Sequence, residues 1–162
     1  MLDPMNIRPI EFHDLKWIRS LLTERWGSPE IVSCGHLHHA DTLPGFVALE
    51  EETPVGLVTY HLRDDACEIV TLDALIPGKR IGAKLVDAII RIARTKKCSR
   101  VWLVTTNDND GAIRFYRKVG FKYVTTYVDA IVEARKLKPS IPETGYHNTP
   151  IRDEVEFEIR LG

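Results

Sequence analysis

No apolar run in this chain approaches the length needed to cross a bilayer, and its opening residues, Met1 to Pro9, carry neither the basic nor the apolar region of a secretory signal. The expectation is a cytoplasmic protein with no membrane partner. Cysteine is sparse: Cys34, Cys67 and Cys98 are odd in number and widely spaced, with no C-x-x-C, which argues against a disulfide framework and a structural zinc site. Net charge is nearly absent as well, since 22 basic side chains face 23 acidic ones. No global field therefore recommends nucleic acid as a partner. Internal repeats and low-complexity tracts are also missing.

What is present suits one α/β domain over residues 1–162. Apolar residues make up 44% and charged residues 28% of the chain, and a domain of this size buries roughly 70% of its unfolded surface. Met5 to Ile10 reads as a strand. Asp14 stands at a helix start, Leu15, Ile18, Leu21, Leu22 and Trp26 follow at helical spacing, and Gly27 closes the helix. A short strand at Glu30 to Cys34 precedes a turn at Leu43-Pro44-Gly45. F-V-A-L-E, V-G-L-V-T-Y-H-L and C-E-I-V-T-L-D-A then form an antiparallel meander. Ile81, Leu85, Ala88, Ile89, Ile92 and Ala93 share one helical face, and Arg100 to Thr105 is suited to a buried strand. Strand, helix and strand of these lengths make a right-handed crossover, so the two strands should be parallel. Helices are expected at Asp110 to Val119 and Asp129 to Leu137, with a strand at Phe121 to Val128 between them. Residues 138–153 form a Pro-bearing loop of the kind kept for function or left mobile. The closing E-V-E-F-E-I-R-L alternates strictly, as a half-buried strand does, and could pair with a second copy in a homodimer.

Two segments carry chemistry. After the strand E-I-V-T-L-D-A-L, the turn I-P-G-K-R-I-G-A-K-L opens a helix whose free N–H groups and partial positive charge can hold an anion. Gly78 and Gly82 relax the sterics there, and Lys79, Arg80 and Lys84 add charge. The second segment, N-D-G-A-I-R-F-Y-R-K-V-G-F, begins at Asn109 and ends at Phe121.

From Glu68 to Phe121 the sequence resembles the acetyl-CoA-binding core of the GNAT superfamily of N-acetyltransferases. The family turn reads Arg or Gln, two residues, Gly, one residue, then Gly or Ala; here Pro77 and Arg80 depart from it, while the Asn, Tyr and Gly-Phe of the second segment match. A family pyrophosphate is held mainly by main-chain N–H groups, which Arg80 still supplies, at some cost if a positive φ is needed there. The resemblance implies that Leu72, Asp73 and Ala74 present main-chain groups to the pantetheine arm beside a bulge. It also implies that Lys79, Arg80, Ile81, Gly82, Ala83 and Lys84 hold the pyrophosphate, and that Asn109, with Asn107 close by, contacts the cofactor. A helix cap explains Asn109 equally well.

Tyr116 matches the family tyrosine that protonates the departing CoA thiolate; its alternative is a core aromatic beside Phe115. Glu68 matches the glutamate that some members use as base, against the alternative of a solvent-facing strand carboxylate. A base is useful because deprotonating an alkyl ammonium at pH 7 costs roughly 4 to 5 kcal/mol. Cys67 neighbours Glu68 but points to the other strand face, so no cysteine is placed to carry an acyl group.

His36 and His38 would share a strand face, with Cys34 and Asp41 the only near candidates for further ligands, so the expectation is a solvated or substrate-facing segment and no metal. Tyr146 and His147 either line the acceptor pocket or sit on the surface. Trp17 and Trp26 read as core. The implied function is acetyl transfer from acetyl-CoA to a small-molecule or peptide amine. A non-catalytic CoA-binding module and a different acyl-CoA donor, such as succinyl-CoA, stay open.

Overall fold

The computed structural model describes residues 5–162. Strand β1 (Met5–Pro9) precedes helix α1 (Leu15–Trp26), whose C-terminus is closed by Gly27 at φ 84°. Only glycine takes that left-handed conformation without strain. A hairpin of β2 (Glu30–Ser33) and β3 (His36–His39) follows, then the meander β4 (Gly45–Glu50), β5 (Thr53–Arg63) and β6 (Ala66–Ala74). Helix α2 (Ile81–Thr95), strand β7 (Arg100–Thr106), helix α3 (Asp110–Lys118), strand β8 (Lys122–Tyr127), helix α4 (Ala130–Leu137) and strand β9 (Glu154–Arg160) complete the chain.

Seven strands form one sheet in the order β1-β4-β5-β6-β7-β9-β8, antiparallel except where β6 meets β7. Two hydrophobic layers hold the helices to it. One, under α2, gathers Leu85, Ile89, Val101, Leu103, Phe121 and Phe157; the other, under α1, gathers Ile18, Leu22, Val47 and Leu57. Ile81, Leu85, Val86, Ile89 and Ala93 are buried along α2, while Asp87, Arg91 and Arg94 face solvent.

Two features of the sheet position the site. The parallel pairing of β6 with β7 covers only Ala66↔Arg100, Cys67↔Val101 and Glu68↔Trp102. Beyond Glu68 the strands diverge, and β6 continues to Ala74 with no strand along that edge among the described residues. Just past the divergence β6 bulges: Thr59 pairs with Thr71 and Tyr60 with Ile69, which leaves Val70 without an opposite residue.

The closing strand differs from its expected place. β9 lies between β7 and β8 rather than at an edge, so its backbone is already paired on both sides and is not available to a second copy. Its alternation also conceals a second buried face: Phe157 is enclosed on one side, and Glu154 and Glu156 on the other are enclosed too. The segment 138–153 is tied down instead of loose. Thr144 and Pro150 form a bridge, and the Arg135 guanidinium donates to the carbonyls of Ile141, Pro142 and Ile151.

Candidate active site

On the α2 side of the splayed strands lies a cleft of about 830 Å³. Leu72 and Ala74 of β6, Ile76, Pro77, Gly78 and Arg80 of the turn, the first turn of α2, and Phe115 and Tyr116 of α3 line it. The first turn of α2 has no acidic residue, so nothing there opposes the positive end of the helix dipole. Arg80 is the N-cap residue, at φ 58° and ψ 27°. A non-glycine residue in this region carries roughly 1–2 kcal/mol of strain, so the departure at the family's first glycine is one the backbone feels. Gly82 lets α2 approach α3: a Cβ there would lie 2.9 Å from Cζ of Phe115.

Of the residues expected to hold a cofactor, Leu72, Ala74, Arg80, Ile81, Gly82, Ala83 and Tyr116 line this cleft. Five others do not. Lys79 is ion-paired with Glu50 at 3.1 Å, and Lys84 lies along the outer face of α2 beside a smaller depression. The Asp73 side chain turns to the opposite face, where its carboxylate accepts from the Trp26 indole at 3.3 Å. Asn109 caps α3 by accepting from the Ala112 N–H at 3.2 Å. Asn107 is used at both ends of its amide: Nδ2 donates to the Pro150 carbonyl, and Oδ1 accepts from the N–H groups of Arg152 and Asp153, each at 2.9 Å. It is a clamp on the segment leading into β9.

Tyr116 is buried within the α2-side core, its ring edge-on to Phe115 and Phe121. Burial, with a further push from the charge of Asp73, holds its phenol well above the usual tyrosine value. At neutral pH it is a proton donor.

On the other face of β6, the β2–β3 hairpin closes over Glu68. The carboxylate is buried, so the solvent-facing alternative is excluded. It accepts from the Ser33 hydroxyl, and its second oxygen lies 3.6 Å from His38 Nε2. His38 is buried too, beside Glu68, while His36 is exposed, so the segment expected to be solvated or substrate-facing is solvated only in part. Among the described residues no group of three or more His, Cys, Asp or Glu is placed to hold a metal ion. At the hairpin tip the Cys34 N–H donates to Glu154, whose carboxyl is pushed up by burial. Desolvation of its sulfur, followed by the carboxylates of Glu154, Glu68 and Glu156, drives the Cys34 thiol up to about 12, although the residue as a whole is exposed at the tip. It is therefore no thiolate at neutral pH. Cys67 points into the α2-side core, opposite Glu68, and burial raises its thiol to about 12 as well.

Several contributors had little or no signal in the sequence. Trp26 stands 40% exposed rather than in the core. Ser33 and His38 reach Glu68 only through docking of the hairpin. Lys138, just past α4, sends its ammonium to the carbonyls of Trp26 at 2.7 Å and Glu30 at 2.5 Å, which fixes where that hairpin begins. Asp108 accepts from the Tyr146 N–H, and a Cβ on Gly145 would lie 2.1 Å from the same oxygen, so the loop needs glycine there. Tyr146 itself is 61% exposed.

A splayed β6–β7 pair with a bulge and a helix start at its mouth has the form that the sequence resemblance implies, and known proteins bear on the same point. Residues 12–121 match the model of the Acetyltransferase (GNAT) family. Two Bacillus subtilis proteins, described as uncharacterized proteins YxbD and YdhI, are each 37% identical. The first match covers 93% of this chain and 96% of that protein, the second 86% and 88%. A GNAT acetyltransferase from Elizabethkingia anophelis with acetyl-CoA bound shares the fold at a TM-score of 0.70 and 17% identity, over 99% of this chain and 100% of that one. The yncA structure of Salmonella typhimurium, a putative acetyltransferase with acetyl-CoA, does so at 0.72 and 16%, over 99% and 95%. The chain belongs to the GNAT acetyltransferase family.

Proposed function

We propose that this protein transfers an acetyl group from acetyl-CoA directly to a primary amine, with both substrates bound at once. The observation that carries the reading is the placement of Tyr116 and Glu68 on opposite faces of β6, flanking the strand edge that the splay leaves open. A donor held in the α2-side cleft and an acceptor approaching from the hairpin side would meet at that edge.

The residues of the cleft suit CoA. The free edge of β6 offers N–H and C=O groups to an amide-bearing arm, as a partner strand would. The open first turn of α2 and the Arg80 side chain suit a pyrophosphate. Acetyl-CoA bound to two structurally similar proteins supports the same donor.

On the acceptor side, Glu68 and Glu154 are buried and neither is ion-paired with a Lys or Arg among the described residues. Burying a carboxylate without a cation is costly, so these two carboxylates favour an acceptor that arrives as an ammonium. Glu68 removes one proton from that nitrogen, the free amine attacks the acetyl carbon, the C–S bond breaks as Tyr116 protonates the departing sulfur, and the second proton shed by the nitrogen as the amide forms restores the Tyr116 phenol.

Release of free CoA with a panel of a polyamine, an amino-acid ester, an aminoglycoside and a short peptide with a free N-terminus tests the reading. Amine-dependent release with a matching acetylated product supports it. Acetyl-CoA binding with no release by any amine would favour a binding module instead.

A further inference from the structure

Glu68 has an unusual neighbour. The His38 ring is 3% exposed, and among the described residues its Nε2 has no hydrogen-bond partner although it lies 3.6 Å from Glu68 Oε1. Leaving a buried polar atom unsatisfied costs roughly 1–3 kcal/mol, so its placement calls for a reason. His61, directly across the β5–β6 ladder from Glu68, has its ring centroid 5.2 Å from that of His38. His36 lies 4.4 Å from His38 and 5.8 Å from His61. Exposure rises outward, from buried Glu68 and His38 through half-buried His61 to exposed His36.

The reaction needs such a path. An ammonium and a thioester yield an amide, a thiol and one proton, and that proton must leave the protein on every turnover. Glu68 is covered by the hairpin and only 5% exposed, so a neighbouring group is better placed than bulk water to take the proton from it.

We propose that His38 takes from Glu68 the proton removed from the acceptor, and that His61 and His36 conduct it to solvent. The proposal rests on the assignment of Glu68 as base. The N–H bond of the ammonium breaks as an O–H bond forms on Glu68; this O–H then breaks as an N–H bond forms at His38 Nε2, and the imidazolium gives up its proton outward to water beside the His61 and His36 rings. The surroundings permit it. Burial, and then the neighbouring His38, hold His61 below the ordinary histidine value, so it is a neutral proton acceptor at pH 7. Ser33 on β2 occupies the other Glu68 oxygen, and Cys34 and Glu154 sit at the hairpin tip. Arg63 acts on His61 from the end of β5. Arg100 on β7 is engaged by Glu156 and Glu158 and does not compete for Glu68.

Turnover kinetics test this. With the panel amine that turns over fastest, His38→Gln should lower kcat roughly 10- to 100-fold, leave KM for acetyl-CoA unchanged, and regain rate when imidazole is added to the buffer. Wild-type turnover by His38→Gln while Glu68→Gln is inactive overturns the relay. Wild-type turnover by Glu68→Gln would instead remove the base assignment. If His38→Gln does not fold, His61→Gln carries the kinetic test, and a loss that imidazole does not restore overturns the relay.

Discussion

The indole N–H of Trp26 donates to the carboxylate of Asp73 at 3.3 Å, tying the last residue of α1 to β6 where that strand has left β7. Burial raises the Asp73 carboxyl above its ordinary value, and the Trp26 bond works in the opposite direction. A group with a raised folded pKa binds its proton more tightly in the native state, so its ionisation destabilises the fold and stability falls as pH rises through that value. Asp73→Asn is predicted to melt higher than wild type at pH 7, with the advantage shrinking toward zero below the ordinary carboxylate value of 3.8. Thermal melts across this range read the difference directly.

Arg80 should show opposite effects on stability and binding. Its left-handed backbone is strained, and Arg80→Gly is predicted to stabilise the protein by about 1 kcal/mol. The same change removes a guanidinium from the mouth of the cleft and is predicted to weaken acetyl-CoA binding about tenfold. Melting and calorimetric titration, run on one preparation, would show Tm and Kd rising together.

Asn107 and Asn109 separate clamp from ligand. Asn107→Ala loses three bonds to the segment 150–153 and is predicted to cost about 2 kcal/mol while acetyl-CoA affinity stays unchanged. Asn109→Ala loses the α3 cap at about 1 kcal/mol. Denaturant melts give both costs, and any loss of affinity beyond them measures a direct contact with the donor.

The contrast between these residues shows what a sequence can carry. Periodicity placed α1, α2, α3 and the meander to within a residue or two, because each buries one face and is ended by local chemistry such as Gly27. The parallel crossover followed from chain length alone. Position within the sheet did not follow: the alternation of β9 fits an edge or an interior strand equally, and only insertion between β7 and β8 encloses Glu154 and Glu156. Much of the cleft could be anticipated because one wall is nearly continuous in sequence, from Leu72 to Ala83, and Tyr116 on the other wall lies in the second segment that resembles the family. The surroundings of Glu68 could not, since Ser33 and His38 arrive on a hairpin whose docking is a tertiary event, anchored from Lys138 more than 100 residues away.

The central claim, acetyl transfer with Tyr116 as the proton donor to sulfur, meets its most direct test in the kcat of Tyr116→Phe with acetyl-CoA and the best panel amine. The substitution keeps the buried ring and removes only the hydroxyl. The account predicts a fall in kcat of roughly 100-fold or more, with acetyl-CoA affinity and Tm near wild type. Turnover at the wild-type rate would contradict it.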